Sequence, residues 1–123
     1  MWKSVNGKLV HTTDHNRVKF RTRISAALLE QLDTLAKEHH TFPNYLLESG
    51  LENLLLNGTI SYNKELRPKD RIHYKTTYDT ALLANVKEFA KQNKLFINDV
   101  IEYSVNFIDF DNLKLRSHKY RIE

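Results

Sequence analysis

Four cations stand within seven residues at Arg17, Lys19, Arg21 and Arg23, at alternate positions and with no acid among them. Guanidinium and ammonium groups donate hydrogen bonds and attract anions. A row of them either meets an anionic surface or merely solvates and protects a strand edge. The spacing is that of a strand, whose successive side chains point to opposite faces. Arg17–Ser25, RVKFRTRIS, puts Val18, Phe20, Thr22 and Ile24 on one face and Lys19, Arg21 and Arg23 on the other. By itself such a strand says little. The chain has a second: Arg71–Asp79, RIHYKTTYD, places Ile72, Tyr74, Thr76 and Tyr78 on one face and His73, Lys75 and Thr77 on the other.

The two strands are 54 residues apart, and the correspondence continues without a gap through the residues C-terminal to each of them. After the first, Ser25 reads as an N-cap, and Ala26–His40 as a helix with one apolar stripe at Leu28, Leu32, Leu35 and Ala36. Thr41-Phe42-Pro43-Asn44 breaks it, and Pro43 suits the first turn of a second helix. That helix runs to about Leu56 with Leu47, Gly50, Leu51, Leu54 and Leu55 inward, and Asn57-Gly58 closes it. Glycine in mid-helix costs about 1 kcal/mol against alanine, so Gly50 predicts a close helix crossing. In the second half, Thr80–Lys94 aligns Leu82, Val86, Phe89 and Ala90 on the first stripe. The last helix sets Ile101, Ser104, Val105 and Ile108 on Leu47, Gly50, Leu51 and Leu54. Identities include Arg17/Arg71, Phe42/Phe96, Asn44/Asn98 and Glu48/Glu102. A gapless match of this length in so short a chain marks an internal repeat.

The repeat divides the chain into an N-terminal arm or short hairpin (1–16), a first unit (17–58), a linker (59–70), a second unit (71–111) and a basic tail (112–123). In the arm, Asn6-Gly7 between Val5 and Leu9-Val10 favours a two-residue hairpin turn. His11 and His15 have a metal-compatible spacing only on a helix, which Thr12, Thr13 and Asp14 disfavour; no metal or cofactor is expected. The chain has 123 residues, no cysteine and a net charge of +4. A reducing cytoplasm is the natural compartment, and neither a signal peptide nor a membrane span is expected. With no glycine-rich phosphate loop, no cysteine nucleophile and no partnered carboxylate pair, an enzyme is not expected either.

Each unit is strand, helix, helix, and one unit cannot bury both its helix stripes and its strand face. The economical arrangement is mainly α (α+β). It pairs the two strands as an antiparallel ribbon about a pseudo-twofold, over four helices.

RVKFRTRISAALLEQLDTLAKEH, a short break and YLLESGLENLL together resemble a ribbon-helix-helix domain of the MetJ/Arc kind. The family makes its ribbon from two identical chains; this sequence is similar to a tandem version, an intramolecular pseudo-dimer, over about 17–56 and 71–110. The resemblance implies a ribbon in the major groove of double-stranded DNA, with outward side chains reading base edges. Carried over, the readers are Lys19, Arg21 and Arg23 with His73, Lys75 and Thr77. Arginine and lysine suit guanine O6 and N7, and threonine suits a base or a thymine methyl. Because the halves differ at all three positions, an asymmetric DNA site is expected.

The family also aims the start of its second helix at a phosphate. The matching positions are Phe42, Pro43 and Asn44, and Phe96, Ile97 and Asn98; the candidate phosphate contacts are Asn44, Asn98, Lys94, Arg17 and Arg71. Phe42 and Phe96 stand where the family often has serine or threonine, and read as core or helix-start residues. His40 and Lys94 stand where it often has glycine. The implied function is sequence-specific DNA binding by a transcriptional regulator, a repressor or accessory factor of plasmid, phage or relaxosome type. It would work in the cytoplasm at the nucleoid, with cooperative self-association on DNA. The alternative is a protein-interaction module or an antitoxin on the same fold.

Overall fold

The computed structural model describes residues 16–113 and the backbone of 2–5 and 8–11. Two short strands come first, β1 (Trp2–Val5) and β2 (Lys8–His11), paired antiparallel with Val5 opposite Lys8. That pairing is the one a two-residue connection gives. Asn6 and Gly7 lie outside the described residues, as do the His11 side chain, His15 and the tail from residue 114. The order continues with β3 (Arg17–Ser25), α1 (Ala26–Glu38), α2 (Pro43–Asn57), a 3-10 turn at Lys64–Leu66, β4 (Arg71–Asp79), α3 (Thr80–Gln92) and α4 (Ile97–Tyr103). A 3-10 segment, Ser104–Phe107, comes directly after α4. Over the described residues the architecture is α+β, with four α-helices, a two-stranded antiparallel sheet of β3 and β4, and the separate β1–β2 pair.

Local chemistry sets these elements. Leu28 N–H donates to Ser25 Oγ at 3.2 Å, and Leu82 N–H to Asp79 Oδ2 at 2.9 Å, so strands β3 and β4 pass into α1 and α3 through side-chain caps. Both helices stop short of the expected His40 and Lys94 because these two residues take φ of 56° and 57°. That left-handed turn ends a helix and normally falls to glycine. Pro43 occupies the first turn of α2, and Gly58 closes it at φ 82° with its N–H on Leu54 O at 2.9 Å.

The β3–β4 register pairs Arg17 with Asp79, Arg21 with Lys75 and Ser25 with Arg71. Arg21 and Lys75 are equivalent positions in the repeat, so the centre of the ribbon is also its centre of internal correspondence. The helix layer shows the same relation: a Cβ on Gly50 would collide with the carbonyl oxygen of Ser104, the equivalent residue. The close crossing expected at Gly50 is therefore present.

One expectation fails here. The last helix does not run on to Ile108 as a mirror of α2, but ends as α-helix at Tyr103 and tightens to 3-10. With the Ser104 carbonyl pressed on Gly50 and the Ser104 hydroxyl donating to Ile101 O at 2.6 Å, the α-helical ladder is interrupted at the crossing. The chain then runs along α2, where Asn53 donates to Phe107 O at 2.8 Å and Asp109 N–H donates to Ser49 Oγ at 3.0 Å.

The core joins Ile24 and Tyr78 from the strands to Leu32, Ala36, Leu47, Leu51, Leu54, Val86, Ala90 and Ile101 from the helices. Leu46 and Val100, equivalent positions outside the expected stripes, are also fully buried. The reason lies in the packing: α2 touches α1, α3, α4, β4 and the 3-10 segment, so its buried arc is wider than a single stripe. Each such leucine contributes about 2 kcal/mol by leaving water.

Candidate functional site

Strand alternation and the observed register bring Lys19, Arg21, Arg23, His73, Lys75 and Thr77 to one face in three cross-strand pairs: Lys19 opposite Thr77, Arg21 opposite Lys75, and Arg23 opposite His73. Thr77 is half-buried and the other five are exposed. The inward face explains why the ribbon lies this way up. Thr22, Ile24 and Tyr78 are buried, and the Phe20 and Tyr78 rings meet edge to face at 6.3 Å. Among the described residues, Lys19, Arg21, His73 and Lys75 have no hydrogen-bond or ion-pair partner. Like charges directly opposite one another destabilise a strand pair, by roughly 0.2–1 kcal/mol. Arg21 facing Lys75 is therefore a cost that no described residue offsets.

The expected phosphate contacts are placed differently. Arg17 turns back at the end of β3: its Nη2 donates to Glu48 Oε2 at 2.8 Å and to Thr77 O at 3.0 Å, and its Nε to Thr77 Oγ1 at 3.2 Å. Arg71 does the equivalent, with Nη2 on Glu102 Oε1 at 2.6 Å and Asp99 Oδ1 at 2.8 Å. The Glu102 carboxylate keeps Arg71 firmly protonated. Only 17% and 15% of the two side chains is exposed. The buried glutamates also accept main-chain hydrogen bonds, Glu48 from Asp79 N–H at 2.7 Å and Glu102 from Ser25 N–H at 2.8 Å. Asn44 Nδ2 donates to Thr77 O at 3.3 Å, and Asn98 Nδ2 to Arg23 O at 2.8 Å. These four residues hold the ribbon to α2 and α4 in matching pairs instead of reaching outward, because a long or amide side chain beside a buried acceptor gains more by satisfying it. Lys94 remains exposed in the turn before α4. Phe42 and Phe96 are helix-start residues, 39% and 59% exposed, and not core.

Sequence reasoning missed the carboxylates. The signal was there: Glu48 and Glu102 are identical across the repeat, as are their partners Arg17 and Arg71. Asp99 gave no such signal, since its counterpart is Tyr45, over whose ring the Arg17 guanidinium sits at 5.6 Å. Asp99 is fully buried and accepts from Arg67 Nη2 at 2.7 Å, from Arg71 and from Phe96 N–H at 3.0 Å. Burial alone would push its carboxyl up; the hydrogen bonds from Arg67 and Arg71 outweigh that and hold it at about 2. Arg67 also lies over the Phe96 ring at 4.4 Å. The segment between the two units is thus pinned to the second one. It is pinned to the first by Asp70, whose Oδ2 accepts from Ala27 N–H at 3.0 Å and from the Ser25 hydroxyl at 3.1 Å. Those bonds hold the Asp70 carboxyl below the usual range.

Elsewhere, a shallow groove lined by Tyr45, Glu48, Ser49, Glu52 and Asp109 is acidic, the wrong sign for an anionic ligand. Among the described residues, no group of three or more His, Asp or Glu is placed to hold a metal ion, and no helix is long and apolar enough to cross a membrane. No family model, curated protein or solved structure matches the chain.

Proposed function

We propose that this chain is a tandem ribbon-helix-helix protein that binds double-stranded DNA sequence-specifically, laying the β3–β4 ribbon in the major groove and acting as a transcriptional regulator. The observation that carries the proposal is the outward face, where Arg21 and Lys75 confront one another without a partner among the described residues while Arg17 and Arg71, at the strand ends, are neutralised by carboxylates. A polyanion inserted against that face turns the cost into attraction. Two strands about 5 Å apart, with side chains spread across them, fit a groove about 12 Å wide. The left-handed turns at His40 and Lys94, where the family often has glycine, and the meeting of equivalent residues at Arg21/Lys75 and Gly50/Ser104 support the tandem, pseudo-dimeric reading.

The readers in this proposal are Lys19, Arg21, Arg23, His73, Lys75 and Thr77, and Lys94 is the phosphate contact. Arg17, Arg71, Asn44 and Asn98 act indirectly, by fixing the ribbon. Selection from a randomised duplex pool at near-physiological salt, with wild type and Arg21→Ala/Arg23→Ala in parallel, tests this. The expected result is an enriched motif that the double variant loses. Weak, steeply salt-dependent binding of all sequences, indifferent to the substitutions, would mean phosphate attraction alone. No binding at all would favour a protein-interaction module or an antitoxin.

A further inference from the structure

The outward face is almost wholly a surface of hydrogen-bond donors. Lys19, Arg21, Arg23 and Lys75 carry donors and no acceptor. A threonine hydroxyl is ordinarily ambivalent, able to donate or accept. At Thr77 the balance is tipped by Arg17. Arg17 Nε donates to Thr77 Oγ1 at 3.2 Å, and the same guanidinium is held by Glu48 Oε2 at 2.8 Å and Thr77 O at 3.0 Å. Glu48 is itself only 4% exposed and further fixed by Asp79 N–H, so the guanidinium has little freedom to swing away. With one of its two lone pairs accepting from a cation, the Thr77 hydroxyl turns its proton away from Arg17 and outward, which favours donation while one lone pair remains. At the other end of the ribbon Arg71 Nε donates to Glu102 Oε2 at 3.1 Å, and the position equivalent to Thr77 is Arg23, which has no acceptor.

We infer that Arg17 is a positioning residue that orients the Thr77 hydroxyl to donate outward, and that the ribbon recognises major-groove edges presenting acceptors, those of guanine above all. The inference rests on the DNA-binding reading and names the chemistry of its target. Guanine offers N7 and O6, two acceptors side by side; cytosine offers an amino donor, and adenine an amino donor beside N7. The lysines and arginines of this face set against amino groups leave both sides unsatisfied, which is the stronger part of the discrimination. His73, opposite Arg23, is the one reader with an acceptor nitrogen when neutral. The two ends of the ribbon are therefore chemically unlike, and the site has a direction.

The test uses the full chain and modified duplexes. A site is first selected from the random pool. Its guanines are then replaced singly by 7-deazaguanine, which lacks the N7 acceptor, or by inosine, which keeps guanine's major-groove edge. The selected contacts should be guanine-rich. 7-Deazaguanine at a contact should weaken binding by about tenfold or more, while inosine changes it by less than about twofold. Thr77→Val should lose the preference at one terminal position of the motif, and Thr77→Ser should restore it. Arg17→Lys, keeping charge on Glu48 without the Nε bond, should relax that same position and no other, a change that a loss of stability alone would not produce. A motif built on adenine and cytosine amino groups, or one unchanged by Thr77→Val, overturns the inference; so does a folded Arg17→Lys protein with an unchanged motif. If Arg17→Lys fails to fold, the Thr77→Val and Thr77→Ser pair still decides. Tight binding with no acceptor preference sinks this inference alone, whereas failure to bind any duplex sinks the DNA-binding reading itself.

Discussion

Gly50 lies directly against the carbonyl of Ser104, its own counterpart in the repeat, and no side chain fits between them. Alanine has the better helix propensity by about 1 kcal/mol, so in an open helix Gly50→Ala would stabilise. Here the added methyl meets main chain, which cannot rotate aside. The expected outcome is a net loss of about 1–3 kcal/mol in urea unfolding. A raised midpoint would mean that α2 and the 3-10 segment do not cross at this point.

Asp99 makes acid stability predictable in sign. Its carboxyl titrates at about 2 in the folded protein, against the ordinary 3.8 of an aspartate in the unfolded chain. Above pH 3.8 both folded and unfolded chains are ionised there, and the contribution, about 2 kcal/mol, is fully present. As pH falls the unfolded chain takes up the proton first, and the contribution is lost on the way down through about pH 2. Unfolding of wild type and Asp99→Asn should therefore differ most near neutrality and converge only below about pH 2. A difference constant from pH 7 to pH 2 would remove Asp99 as the source.

Tyr78 carries a hydroxyl that meets no hydrogen-bond partner among the described residues, although the side chain is fully buried. Burial pushes its phenol up and keeps it neutral. Removing an unsatisfied buried polar group relieves its desolvation cost, so Tyr78→Phe should leave stability unchanged or raise it by up to about 1 kcal/mol. Destabilisation beyond about 1 kcal/mol in the same assay would show that the hydroxyl is paired.

His40 is exposed and sits at φ 56°, a conformation that costs a residue with a Cβ roughly 1–2 kcal/mol. Glycine removes that cost and restores part of it through the freedom of the unfolded chain. His40→Gly should raise the thermal midpoint by a few degrees, about what 0.5–1 kcal/mol gives in a domain of this size. A lowered midpoint would place His40 in a contact that the turn geometry does not show.

Much of the fold was legible because it derives from period and repetition. The alternation in β3 and β4 told which face goes down: Thr22, Ile24 and Tyr78 are buried as that rule requires, whereas Val18 and Ile72 on the same face stay exposed. Gly50 announced the crossing because nothing else excuses a glycine in mid-helix. The break after Tyr103 was invisible, since residues 104–108 carry the same pattern as their counterparts in α2 and the interruption comes from a neighbour's backbone. The site was legible in part for a similar reason. Alternation puts Lys19, Arg21, Arg23, His73, Lys75 and Thr77 on one face, but parity cannot say that Arg17 and Arg71, at the strand ends, curl back to buried glutamates. Nor does a helical stripe of leucines show that Glu48 lies within the same buried arc. Paired identities of opposite charge, Arg17/Arg71 with Glu48/Glu102, were the clue that alternation alone passes over.

The most direct measurement is Lys75→Glu, read for stability and for DNA binding in the same preparation. Replacing a like-charge cross-strand pair with an opposite-charge one should raise folding stability, by about 0.5 kcal/mol. Affinity for the duplex selected by wild type should fall by about tenfold or more, because the same substitution sets a carboxylate against the polyanion. Gain in one and loss in the other is the signature expected of a face kept unfavourable for folding and favourable for binding. A variant more stable than wild type that still binds the selected duplex equally well would contradict the placement of this ribbon face against DNA.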